Sequence, residues 1–183
     1  MSRASEILAA LLVLTFSPAL AQDRAAAAPP IGTPVTPAEL SGFFSIPPSG
    51  KGLPAGEGDV GAGREVFEAQ CAACHGDHLQ GVKETGGPAL AGGRGTLAHV
   101  PPLKTVESYW PYATTLFDYI KRAMPFNAPG SLSDDQVYAL CAYILAHDGI
   151  IPDDARIDRT SLPKVVMPNR DGFRPYPGPV PPQ

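Results

Sequence analysis

With 183 residues, 22 prolines and 19 glycines, the chain has room for one domain of ordinary size and for long irregular segments around it. A formal net charge of −4 and the lack of basic runs exclude an ordinary nucleic-acid-binding surface. Three cysteines are an odd number, so disulfides within the chain cannot use them all.

The N-terminus reads Met1-Ser2-Arg3, an apolar run from Ile7 to Phe16, then Ser17-Pro18-Ala19-Leu20-Ala21. That order of a charged, an apolar and a small-residue region predicts a cleaved secretory signal over residues 1–21 and a periplasmic mature chain. The apolar run is ten residues long. A bilayer needs about 17 to 25, so no membrane span is expected after cleavage. Residues 22–58 form a proline- and glycine-rich stretch expected to be an extended arm, with Phe43, Phe44 and Ile46 as an apolar cluster suited to docking.

Regular structure is expected from Asp59, an N-cap for a helix running toward residue 69. Val60, Gly63 and Phe67 share one face at helical spacing, and Gly63 predicts the close approach of another helix. Cys71-Ala72-Ala73-Cys74-His75 follows directly. Two thiols three positions apart and an adjacent imidazole can add across both vinyl groups of a haem and ligate its iron, the signature of c-type haem attachment. Half a zinc site would need two further ligands at metal spacing, with only Cys141 and a distant histidine to supply them. A thioredoxin-like redox pair would need a strand before it, where the sequence reads as helix.

Glycines at 76, 81, 86, 87, 92, 93 and 95 predict loop through residues 76–104. A ligating histidine needs an acceptor for its second ring nitrogen, and the Pro88 region can supply a carbonyl. Arg94 is the candidate donor to the haem propionates, with Tyr109 and Trp110 as weaker ones. A second helix is expected from about Pro111, with Ala113, Leu116, Phe117 and Ile120 on its face and Lys121-Arg122 at its end. Pro125 stops it and holds Met124 extended, so the thioether can turn toward the iron. Met124 is therefore the expected sixth ligand; Met167, His78, His99 and His147 compete for the position. Histidine and methionine together would fill the iron and leave no place for substrate.

Ser133-Asp134-Asp135-Gln136 is a capping box, stapled by Leu132 and Val137. The helix it opens carries Val137, Leu140, Cys141 and Ile144 on one face, closes at Gly149 and is expected to cross the first helix. Cys141 on that face reads as a buried free thiol. Residues 150–183 hold eight prolines and no helical period, and read as a second extended arm. Stiff arms of this kind can strap across a partner.

Residues 59–149 are thus expected to be a haem domain, and residues 59–148 resemble a class I monohaem cytochrome c. The resemblance is carried by Cys71–His75, Gly87-Pro88-Ala89-Leu90, Met124-Pro125 and Leu140-Cys141-Ala142-Tyr143-Ile144. It implies a small all-α fold around one covalent haem c, with Gly63 and Phe67 meeting Tyr143 and the Pro88 carbonyl accepting from His75. A narrower similarity lies in residues 102–120, Met124-Pro125-Phe126 and Met167-Pro168-Asn169-Arg170-Asp171-Gly172-Phe173. These resemble the cytochrome subunits of periplasmic molybdenum sulfite dehydrogenases and of the sulfane dehydrogenase of sulfur oxidation. That similarity implies an electron-accepting, non-catalytic haem subunit with a molybdopterin-containing partner and a downstream cytochrome or oxidase. A freely diffusing cytochrome serving a terminal oxidase, and a haem enzyme or gas sensor with an open iron, are the alternatives.

Overall fold

The structure, a computed structural model, describes residues 32–41 and 45–174; the signal segment and Phe43-Phe44 lie outside them. Its elements are α1 (Pro37–Ser41), β1 (Glu57–Asp59), α2 (Val60–Gln70), α3 (Ala72–His75), α4 (Val106–Tyr109), α5 (Ala113–Ala123), α6 (Asp134–His147), β2 (Arg156–Asp158) and a 3-10 turn at Leu162–Lys164. The fold is mostly helical, with one two-stranded antiparallel sheet. No helix among the described residues is long and apolar enough to cross a membrane.

Two well-formed caps set the main helices. Asp59 accepts from the Ala62 amide at 2.9 Å to start α2. At α6 the Ser133 hydroxyl accepts from Gln136 N at 3.2 Å while the Gln136 side chain accepts from Ser133 N at 2.9 Å. Leu132 and Val137 are both buried beside it. Gly149, at φ +66°, ends the helix by returning its amide to the Ala146 carbonyl.

α2 and α6 make the most extensive contact in the molecule. A Cβ on Gly63 would lie 1.9 Å from the Ala139 carbonyl oxygen, and one on Gly58 would lie 2.2 Å from the Ala139 amide nitrogen. Two glycines on successive elements therefore let the α6 backbone in at one point. Phe67 and Tyr143 close the crossing with ring centroids 5.2 Å apart. α6 departs from the expected single apolar face, because every residue from Val137 to Ala146 is buried. α2, α5 and both strands surround it, and a helix apolar on all sides is one enclosed on all sides.

The flanking segments are irregular, as their prolines require; residues 32–40 are exposed, but residues 45–58 and 150–174 are anchored on the domain rather than extended from it. On the N-terminal side Ile46 and Leu53 are buried, Ile46 N donates to Asp118 Oδ1 at 2.8 Å, and the Tyr138 hydroxyl donates to the Pro54 carbonyl at 2.9 Å. On the C-terminal side β2 pairs with β1, Ile157 opposite Gly58, and Arg156 reaches both Glu57 and Asp59 at 2.8 and 3.0 Å. Ile157, Leu162, Val165 and Met167 enter the core. The two segments meet where a Cβ on Gly50 would lie 2.4 Å from Pro163 Cγ. Packing therefore runs through the expected boundaries at 58/59 and 149/150. Short apolar phrases between prolines carry no period, which is why the sequence reads there as free arm.

Candidate haem-binding site

α2 ends at Gln70, and α3 begins after a single non-helical residue, Cys71. The Cys71 carbonyl accepts from the amides of both Cys74 and His75, at 3.0 and 2.9 Å, so the two thiols and the imidazole share one tight turn. Cys71 is half-buried against the core and Cys74 is exposed. Burial, with Cys74 beside it, pushes the Cys71 thiol up to about 11.

His75 Nδ1 lies 2.8 Å from the Pro88 carbonyl oxygen. With Nδ1 as donor, Nε2 becomes the lone-pair nitrogen available to a metal. The loop that brings Pro88 there is built by close backbone approaches. Gly81 N donates to the His75 carbonyl at 2.7 Å, Val82 N to Gly87 O at 3.0 Å, and Leu90 N to Leu79 O at 2.8 Å. Leu79, fully buried at φ +57°, anchors the turn. A Cβ on Gly87 would lie 1.9 Å from the Cys74 carbonyl oxygen, so the loop rests directly on the attachment turn. The sequence shows these glycines only as punctuation; their spacing on either side of Pro88 was the available signal.

Met124 is the C-cap of α5, extended at φ −120° and ψ 150°, as a residue before proline should be. Lys121 Nζ holds this end of α5 to the Leu132 carbonyl at 2.9 Å and to Asp134 at 2.8 Å. Met124, Cys71, Ala72, Leu90, Ala91 and Trp110 are among the half-buried apolar residues at the core margin, with Val66, Ile150 and Ile151 elsewhere along it. The former come from the attachment turn, the Pro88 loop, the α4–α5 link and the end of α5. An apolar macrocycle bonded to Cys71 and Cys74 would cover such a set, so the residues present fit a haem.

The other candidate ligands are placed differently. His78 and His99 are exposed, and His147 lies against Tyr143 with Nδ1 3.3 Å from Asp148 Oδ1. Met167 is held firmly, contrary to the expectation of an unfixed segment, and it is wholly enclosed in the core. Among the described residues no three His, Cys, Asp or Glu side chains gather to hold a metal ion, and Cys141 is fully buried in α6. The second pair of ligands that a zinc site needs is therefore not assembled there.

Arg94 sits in its glycine bend, but its guanidinium is already engaged. Nη2 lies 2.6 Å from Glu107 Oε1 and donates to the Asp148 carbonyl at 3.0 Å. Glu107 is buried and takes the Gly92 amide at 2.9 Å. Burial and the neighbouring Asp148 carboxylate hold Glu107 above the usual carboxylate range, against the opposing pull of Arg94 and Gly92. A buried carboxylate needs a cation, and this one claims the arginine expected to face a propionate. Trp110 caps α4 and packs edge-on against Tyr119, centroids 5.7 Å apart. The α4 turn itself, opened by a Thr105–Ser108 capping box, falls just past a stretch read as loop.

A thiol pair and an oriented imidazole in one tight turn fit a covalent haem c domain. The sequence profile of the cytochrome c family matches residues 60–148, and the chain belongs to that family; its cofactor is covalently bound haem c. The sulfane dehydrogenase SoxCD of Paracoccus pantotrophus is similar over 80% of this chain and 72% of that chain, at 40% identity and a TM-score of 0.72. A thiosulfate dehydrogenase of Stutzerimonas stutzeri strain A1501 is 34% identical over 62% of this chain and 35% of its own length. One from Allochromatium vinosum is 30% identical over 54% of this chain and 37% of its own. The chain thus spans about a third of these curated relatives.

Proposed function

We propose that this chain is exported to the periplasm and serves as the electron-accepting haem subunit of a dehydrogenase for an inorganic sulfur compound. In this reading Cys71 and Cys74 carry the haem as thioethers, His75 and Met124 ligate its iron, and the Pro88 carbonyl orients His75. The haem supplies a one-electron couple, whose potential a methionine ligand raises relative to a second histidine. The chain's own residues attach it, shield it from water and close both axial positions. Trp110 adds a wall, while Arg94 is held by Glu107 and the Asp148 carbonyl. A separate molybdopterin-containing subunit performs the oxidation, and a downstream cytochrome or oxidase takes the electron.

The observation that supports this reading most is the reach of the likeness to SoxCD. At 80% of the chain it extends well past the 60–148 haem domain, into the flanking segments. The thiosulfate dehydrogenase relatives favour a second reading, in which the haem domain accepts electrons from thiosulfate oxidation as part of a larger assembly. Co-purification of the tagged chain from its native periplasm tests both. The first reading predicts a co-purifying molybdenum subunit and haem reduction by sulfite or a sulfane donor. Reduction by thiosulfate with no molybdenum present would favour the second. A protein that purifies alone, with both donors inert, would favour a diffusing shuttle to an oxidase.

A further inference from the structure

The phrase Met167-Pro168-Asn169-Arg170-Asp171-Gly172-Phe173 closes back onto the link between α4 and α5. Met167 is buried in the core as the anchor. The amides of Arg170 and Gly172 return to the Met167 and Asn169 carbonyls at 3.0 and 3.1 Å, which curls the segment into a clasp. Asn169 Nδ2 then donates to the Tyr109 carbonyl at 2.7 Å. Phe173 meets the Tyr109 ring edge-on at 5.1 Å, and the Arg170 guanidinium lies over the Tyr112 ring at 4.5 Å. A Cβ on Gly172 would lie 1.7 Å from Asn169 Oδ1, so this glycine makes room for the amide in that orientation.

The bond from Asn169 meets a definite need. Tyr109 is the last residue of α4, and the final carbonyls of a helix have no partner within it. The chain then runs extended through Trp110 and Tyr112 into α5, whose N-cap Tyr112 makes no side-chain capping bond. The start of α5 is therefore set by tertiary ties, and the clasp supplies several. α5 is 11 residues long and ends at Met124. A rigid helix of that length, about 16 Å, carries a displacement at its start to its end. Trp110 adds a direct tie by packing on Tyr119 within α5. The clasp residues Met167, Asn169 and Arg170, with Arg94 and Gly149, also line an open surface depression of about 630 Å³.

We infer that Asn169 is a positioning residue for the axial methionine: by capping the Tyr109 carbonyl it fixes the α4–α5 link, and with it the approach of Met124 to the haem iron. The inference rests on the His75/Met124 reading of the site.

The test uses the full-length holoprotein and the variants Asn169→Asp, nearly isosteric but without the donor, and Gly172→Ala, which crowds the amide from the other side. Three readouts are compared: haem staining after denaturation, thermal unfolding, and the far-red sulfur-to-iron band with its loss on raising the pH. Both variants are expected to keep covalent haem. In both, the band should be lost at a pH at least one unit below wild type, a tenfold easier displacement of the methionine, and carbon monoxide should bind the reduced protein faster. Thr160→Ala, which removes a hydroxyl bonded to Asp158 in the same C-terminal segment, should leave the band at its wild-type pH. A fall in unfolding temperature with the band and carbon monoxide uptake unchanged would overturn the inference and leave Asn169 merely structural. Absence of the band in the wild type would instead overturn the ligand assignment itself.

Discussion

At the scale of single residues, burial raises the pKa of both Cys141 and Glu107. The Cys141 thiol is fully buried, and desolvation raises its pKa strongly. In the folded holoprotein it should therefore resist alkylation. After unfolding, mass spectrometry should count one labelled thiol per chain if Cys71 and Cys74 carry the haem as proposed; three labelled thiols would contradict the attachment. Glu107 is a buried carboxyl whose folded pKa stands above the ordinary value. Its stabilising contribution is present at low pH and is lost as the pH rises through the folded value. Glu107→Gln keeps an acceptor for the Gly92 amide and removes that loss. Its stability relative to wild type should therefore increase as the pH rises from the ordinary carboxylate range to neutrality, in parallel urea titrations. A constant deficit at every pH would show that the Arg94 pair dominates instead. Gly87→Ala places a Cβ into the Cys74 carbonyl. Overpacking of this kind costs about 1–3 kcal/mol, and the melting curve should show it.

At the scale of elements, the sequence was legible where a local rule decides the outcome. The Ser133–Gln136 box, the Asp59 cap, the Gly63 approach and the stop at Met124-Pro125 all follow from side chains within a few residues of one another. The strands did not show, because three residues each, Glu57–Asp59 and Arg156–Asp158, are too short for alternation to register. Their pairing spans nearly a hundred residues, and only the tertiary fold brings Gly58 beside Ile157. The buried anchors Ile46, Leu162 and Met167 were hidden for a related reason, since isolated apolar residues among prolines look like those of a spacer. The packed flank carries a prediction. Leu162 is fully buried, and Leu162→Ala should cost about 2–5 kcal/mol. Truncation before residue 152 removes that residue with Ile157, Val165 and Met167, so it should lower thermal stability sharply. A truncated protein melting at the wild-type temperature would restore the view of this segment as a free strap.

At the scale of the whole molecule, the haem domain packs as one body with residues 45–58 and 150–174 of its flanks. The N-terminal segment is tied to α5 through Asp118 and to α6 through Tyr138, and the C-terminal segment is tied to β1 and to the α4–α5 link. The flanks thus brace α5, which ends at Met124, and α6, which α2 crosses. What the sequence proposes through motif and context is the chemistry of the site: Cys71, Cys74, His75 and Met124. What it could not show was support at long range, such as the claim of Glu107 on Arg94 or the Asn169 bond to the Tyr109 carbonyl. Those depend on elements about 13 and 60 residues apart in the chain.

The central claim is that one covalent haem is closed on both axial faces by side chains of this chain, so that it relays electrons and leaves substrate chemistry to another site. X-ray absorption at the iron of the purified, reduced holoprotein tests it most directly. The account predicts six-coordinate iron with one imidazole nitrogen and one thioether sulfur on the axis. Five-coordinate iron, or two axial nitrogens without sulfur, would contradict it.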